Sequence, residues 1–429
     1  MEGTTMAKEF KYDVEAIREQ FPACKLEVEG APIAYLDGPG GTQVPQRVLD
    51  RIMKYMVEEN ANEGGNFKAG RLGEIFEDEA RAAAADLLGC EPGEIGFSCS
   101  SSQNAVNFAH ALARDLEPGA KILTNQLEHQ ANFAPWIHLG MDGCNTEVVK
   151  MDTVTQQIDM DDFKAKLTPD TKLVSLNWAS NGLGTVTDVK KLIAMAHEVG
   201  ALTIVDAVHY AAHFPIDVKD IDTDVLVCSA YKWFGPHLGV IYMKKDLIEK
   251  MGFYNVMCED IATGPRRFHM GTPQYELLTG MTEAVNFIAS VGEQYADCFE
   301  DELKGLSGRR RNVVAGMTAF DCYESGLAKQ LREGLRDIPG VHVYGPAEGE
   351  ARTPTVVFTV DGFTTDEVSQ MLGDRGINSW HGDYYAVQIM KAMGVYDKGG
   401  MVRLGLAPYV TQSDIDRTLY AIRALVTKR

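Results

Sequence analysis

The chain has 429 residues, 45% hydrophobic and 24% charged, and its 41 Lys+Arg against 61 Asp+Glu leave a formal net charge of −20. This composition belongs to a globular protein with a sizeable core, and the acidic balance argues against a general nucleic-acid binder. Eight cysteines (24, 90, 99, 144, 228, 258, 298 and 322) form no C-x-x-C pair and follow no secretory leader, and no apolar run approaches the roughly 18 residues of a membrane span, so no disulfide framework, metal site or membrane partner is expected and a cytoplasmic setting is the default.

In chain order, residues 13–20 have helical spacing, but the first 34 residues are too few to fold alone and are expected to pack on a later domain. Short, β-branched apolar runs follow at 94–98, 120–124, 146–149, 172–177, 201–206, 224–228 and 240–243, separated by amphipathic stretches such as 188–199. This alternation predicts an α/β fold with a mainly parallel sheet in a large domain over 35–290. A helical stretch over 281–326 leads into a smaller α+β domain over 291–429, with strands at 355–360 and 401–406 and a helix at 365–373. In such a sheet the ligand lies beyond the carboxyl ends of the strands, which directs attention to the residues there.

The segment VDAVHYAAHF brings one strand to an end at Asp206, and VLVCSAYKWFGPHLGVIY ends another at Cys228, four residues before Lys232. A lysine just past a buried strand is unusual, because a buried ammonium must be neutralised or consumed. A Schiff base to pyridoxal phosphate is one solution, with Asp206 holding the pyridine nitrogen protonated. A helix-capping aspartate and a surface lysine satisfy the same spacing. Ser100, Ser101 and Ser102 lie between a strand and a helix, where hydroxyls and helix-start amides suit a phosphate, although a plain serine cap fits equally. Ser229 and Tyr231 flank Lys232 as further phosphate donors, while His129 and Asn181 follow two other strands. An ordinary histidine and a turn are the simpler readings of those last two.

From about Tyr35 to Thr418 the sequence resembles the class V aminotransferase family of fold-type I pyridoxal-phosphate enzymes, in its cysteine desulfurase and selenocysteine lyase branch. The segments carrying the resemblance are YLDGPGGTQVP, LEHQANFAPW, VDAVH, SAYKWFGP, RFHMGTP and VRLGLAPYVTQSDIDR. The resemblance implies pyridoxal 5'-phosphate as cofactor, Lys232 as Schiff-base lysine and proton shuttle, Asp206 at the pyridinium nitrogen and His129 stacked on the ring. It also implies Asn181 and His209 near the ring hydroxyl, Ser101, Ser102, Ser229 and Tyr231 at the phosphate, and Arg403 at the substrate carboxylate. Thr272 matches a threonine that reaches the partner subunit's cofactor phosphate, so a homodimer is expected. Two positions depart from the desulfurase pattern: His209 replaces a glutamine, and Tyr231 a histidine.

The segment RGINSWHGDYYAVQIM departs further, setting Tyr385 where the related desulfurases have their persulfide-forming cysteine. A phenol cannot replace a thiolate in sulfur transfer. His381, Asp383, Tyr384 and Tyr385 are candidates for acid–base work, substrate contact or closing the site, and equally for simple packing. The expected function is therefore cleavage of a C–S or C–Se bond of a small α-amino acid by β-elimination. Transamination, racemisation and cofactor binding without turnover remain open, since the first two use the same carbanion. A nucleotide-binding protein is a weaker alternative, because no G-x-x-x-x-G-K-[ST] element is present.

Overall fold

Most apolar runs of the large domain are buried along their whole length, the pattern of strands whose sheet is covered on both faces. The computed structural model describes residues 10–254 and 264–427. Seven strands form the large sheet: β1 (Ile95–Ser98), β2 (Lys121–Asn125), β3 (Asn145–Val149), β4 (Thr171–Asn177), β5 (Leu202–Asp206), β6 (Val225–Ser229) and β7 (Gly239–Met243). Each lies within one residue, at either end, of the run read from the sequence. Their order is β1-β7-β6-β5-β4-β2-β3; β7 is antiparallel to both neighbours and the other pairs are parallel. Ser98, Asn125, Asn177, Asp206 and Ser229 consequently end their strands at one edge of the sheet, with Asn177 in register with Asp206.

The accompanying helices include α1 (Gly73–Leu88), α2 (Ser101–Ala113), α3 (Gln130–Met141) and α4 (Val189–Glu198). The single helical stretch expected over 281–326 is instead two helices, α5 (Tyr275–Tyr295) and α6 (Gly308–Arg336). Apolar spacing continues on both sides of the break, but Gly305 and Gly308 adopt φ of 79° and 56°, which turns the chain back. The two helices then approach so closely that a Cβ on Gly292 would strike the Asn312 carbonyl and the amide of Gly316.

The small sheet contains β8 (Val341–Tyr344), β9 (Thr355–Val360), β10 (Trp380–Gly382) and β11 (Met401–Gly405), arranged β8-β9-β11-β10 and antiparallel throughout. Helix α6 packs on β8 and β9, and α7 (Thr365–Gly373) packs on β10 and β11. Helix α8 (Gln412–Thr427) lies against α6 and α7. The N-terminal segment joins the same side of the molecule: Tyr12 stacks on Tyr323 with ring centroids 4.2 Å apart, and Arg18 donates to the Tyr409 carbonyl at 2.6 Å. Among the described residues no helix is long and apolar enough to cross a membrane.

Candidate active site

The strand ends of the large sheet form the floor of a cleft of about 250 Å³. Lys232 closes the turn Ala230–Lys232 that follows β6, and it is buried. Its Nζ donates to the Pro39 carbonyl and sits 4.9 Å from the centroid of the Tyr231 ring. Burial, then the positive charge of Arg403, pushes the Lys232 ammonium down to about 7, with Asp206 opposing. Burial pushes the Asp206 carboxyl up to about 6, opposed by the Val208 N–H, which donates at 2.8 Å, and by Lys232.

His129 caps α3, its Nδ1 accepting the Ala131 N–H at 3.0 Å, so the neutral ring carries its proton on Nε2. Burial, then Lys232 and Arg403, pulls this imidazole down to about 4. Ser100 caps α2 by accepting the Gln103 N–H at 3.1 Å, which places Ser101 and Ser102 in the first turn of the helix. Ser229 Oγ donates to Ser101 Oγ at 2.8 Å, joining the end of β6 to that helix start.

The small sheet supplies the opposite side. Arg403, buried in β11, donates from Nη1 to the Asn181 carbonyl at 2.7 Å, and its guanidinium lies 4.3 Å from the Tyr384 ring centroid. Burial pulls this guanidinium down to about 10. Asn181 Nδ2 donates to the Tyr384 carbonyl at 2.8 Å. His209 Nε2 lies 3.1 Å and 2.9 Å from the hydroxyls of Thr353 and Thr355, which links the floor to β9. Burial, then His213, Lys232 and Arg403, holds His209 well below its ordinary range. The Tyr231 ring stacks on His237 at 4.6 Å.

The cleft thus brings together Ser101, Ser102, His129, Asn181, Asp206, His209, Tyr231, Lys232, Tyr385 and Arg403, with Ser229 hydrogen-bonded to Ser101. Thr272 is exposed and borders a different hollow of its own chain, beside Cys99 and His269. His381 corrects the sequence reading. Side chains alternate along β10, so Trp380 faces the cleft, whereas His381 turns to α7, with Nε2 3.5 Å from Asp366 Oδ1. Trp380, Asn177 and Glu128 were not singled out from the sequence. Asn177 ends β4, so the strand-end rule that found Asp206 also reaches it. Glu128 is buried between Asn125, Asn132 and Ser175, and burial, then Asp206, raises its carboxyl well above the usual range. Trp380 carried no local signal beyond its hydrophobicity. None of the seven described cysteines borders the cleft, and Cys258 lies outside the described residues.

The cleft's unmet polar groups test its fit to pyridoxal phosphate. Asn177 Oδ1, Asn181 Oδ1 and Arg403 Nε are buried without protein partners. The buried Asp206 carboxyl has a cationic N–H to gain, Lys232 is held as a readily deprotonated amine, and the start of α2 offers hydroxyls and free amides. These residues fit a group that has an aldehyde, a basic ring nitrogen and a phosphate. The mainly parallel seven-stranded sheet and the smaller antiparallel sheet have the fold-type I arrangement, and with this cleft and the family match they make the chain a pyridoxal-phosphate-dependent enzyme. The family model for class V aminotransferases matches residues 34–307 and 313–418, and the chain belongs to that family.

Its relatives include an uncharacterized protein of Mycobacterium tuberculosis, 28% identical over 415 residues and covering 96% of this chain and 99% of that one. A cysteine desulfurase of Pectobacterium carotovorum is 28% identical over 430 residues, covering 96% and 98%. The fold is also that of the apo cysteine desulfurase from Thermococcus onnurineus NA1, with a TM-score of 0.86 at 24% identity and coverage of 98% and 100%. Within its family the chain is thus similar to cysteine desulfurases.

Proposed function

We propose that this enzyme cleaves the C–S or C–Se bond of a small α-amino acid by β-elimination, with no thiol of its own accepting the leaving atom. The observation that carries this reading is a buried lysine held at about 7 beside Arg403, in a cleft bordered by none of the described cysteines. Bound pyridoxal phosphate supplies an electron sink for charge developing at Cα. Ser101, Ser102, Ser229 and Tyr231, with the first amides of α2, would hold its phosphate. Asp206 would keep the ring nitrogen protonated, and the neutral His129, Asn181 and His209 would hold the rest of the ring.

Arg403 fixes the substrate carboxylate with the guanidinium edge not bound to Asn181, and Tyr384 braces that guanidinium from its flat face. Lys232 removes the Cα proton, and an amine near 7 is available as a base at neutral pH. The leaving group then departs from Cβ toward the mouth of the cleft, where Tyr385 stands. The working unit is a homodimer, in which the exposed Thr272 reaches the partner's cofactor phosphate. The setting is cytoplasmic, a reading supported by the unpaired state of the seven described cysteines. Incubation with cysteine, cystine and cysteine sulfinate, with products identified by mass spectrometry, tests the reaction. Pyruvate and ammonia are expected; alanine with a transferable sulfur overturns the proposal.

A further inference from the structure

We propose that the outer half of the cleft is a leaving-group subsite for an apolar, preferably aromatic, substituent on the sulfur of an S-substituted cysteine. This rests on the elimination reading above and narrows its substrate. Among the described residues that line the cleft, the acidic and basic side chains other than histidine are Asp206, Lys232 and Arg403. The cofactor nitrogen, the Cα proton and the substrate carboxylate occupy all three, so no charge remains to pair with a charged substituent. Trp380 and Tyr385, the most exposed rings that line the cleft, form its outer wall, with the His129 ring 5.5 Å from that of Tyr385. A desolvated carboxylate or ammonium would find no compensation there, whereas a ring would find aromatic faces.

The aromatic walls have close and specific neighbours. Gly40 lies directly under Trp380, where a Cβ would strike the indole nitrogen and ring. Tyr384 and Tyr385 adopt φ of 43° and 61°, two consecutive left-handed residues that are not glycine. Hydrogen bonds sustain that conformation: the Gln130 N–H donates to the Tyr385 carbonyl at 2.9 Å, and the Tyr385 N–H donates to Asp383 Oδ1 at 2.9 Å. Strain retained at the entrance of a site by such over-determination marks a functional position. Even so, Trp380 is 46% and Tyr385 67% exposed. A ring entering the mouth would bury apolar surface that is now open to water.

The reaction is redox-neutral: R–S–CH2–CH(NH3+)–COO− + H2O → R–SH + CH3–CO–COO− + NH4+. The Cα–H and Cβ–S bonds break, the sulfur leaves with the electron pair and takes up a proton, and water hydrolyses the released enamine. The acceptor thiol that persulfide chemistry requires has no part in it.

The holoenzyme is assayed with S-benzylcysteine, S-methylcysteine, cysteine and cysteine sulfinate, measuring thiol and pyruvate together. Equal yields are expected, with kcat/KM for S-benzylcysteine at least about tenfold above that for S-methylcysteine. Trp380→Ala and Tyr385→Ala are each expected to collapse most of that ratio through KM, with Trp380→Phe retaining it. Binding gives a second readout, because Trp136, Trp178 and Trp233 are buried and Trp380 is the half-exposed tryptophan. In the Lys232→Ala variant, S-benzylcysteine is expected to change a tryptophan emission that Trp380→Phe removes. Pyruvate from cysteine with no preference for the benzyl substituent, or a preference unchanged in the alanine variants, overturns the subsite and leaves the elimination standing. No pyruvate from any of these substrates overturns the elimination, and the subsite with it.

Discussion

The floor and the mouth of the cleft are built by opposite means. The floor stands on regular strands: Asp206 ends β5, Ser229 ends β6, and the ladder sets Asn177 opposite Asp206. Its side chains are desolvated, and its ionisable groups depart from their ordinary ranges. The mouth stands on a three-residue strand and two left-handed tyrosines, and its side chains are uncharged and half open to water. On the proposed reading the large sheet fixes the chemistry, and the loop that follows β10 fixes what is admitted. Substitutions in the floor should act on kcat and its pH profile, whereas those in the mouth should act on KM and on selectivity.

The largest effect belongs to Lys232. Lys232→Ala should lower kcat by about 10²–10⁴-fold and abolish the substrate-induced change in cofactor absorbance, since general-base contributions are of that order. Asp206→Asn should lower kcat by about 10²-fold, as expected for removal of a preorganised charge. The pH profile separates the two regions more sharply. With the neutral amine of Lys232 as the proposed base, activity should rise with pH through about 7 and level off above it. Asp206 raises the Lys232 value, so Asp206→Asn should move that limb to lower pH, while Tyr385→Ala should leave it in place. A limb that moves with Tyr385→Ala would break the division between floor and mouth. Arg403→Ala should raise KM by about 10–100-fold with a smaller change in kcat, the loss expected for hydrogen bonds to a charged group.

The floor was legible in the sequence because a buried strand and its polar terminus are both local signals. Asp206 stands out as the charged end of one apolar run and Lys232 as a lysine four residues past another, and β-branched runs bounded by turn residues set the strand limits. The mouth was not legible on the same terms. Its strand spans only Trp380–Gly382, too short for alternation to reveal that Trp380 and not His381 faces inward. The division of one helical stretch into α5 and α6 was hidden for a related reason: apolar spacing persists on both sides, and two positive-φ glycines decide the break. Glu128 was obscured because its importance lies in burial among Asn125, Asn132 and Ser175, which three-dimensional packing alone creates.

Two glycines carry the comparison into stability. At Gly292 an added methyl would meet the Asn312 carbonyl and the Gly316 amide, backbone groups inside a helix crossing that have nowhere to go. Gly292→Ala should destabilise the protein by about 1–3 kcal/mol, the usual cost of overpacking, as read from its denaturation midpoint.

At Gly40 the three atoms nearest to an added methyl all belong to the indole of Trp380, a side chain that is 46% exposed, rather than to backbone. Gly40→Ala should therefore change stability by less than about 0.5 kcal/mol, as surface substitutions usually do. It should instead carry Trp380 away from the mouth, reducing the preference for an S-benzyl over an S-methyl substrate by a few-fold while kcat for the smaller substrate changes less. A fall in denaturation midpoint as large as that of Gly292→Ala would show that Trp380 is part of the packed core. Unchanged stability with lost selectivity would show that the indole is held by one absent side chain and serves the substrate.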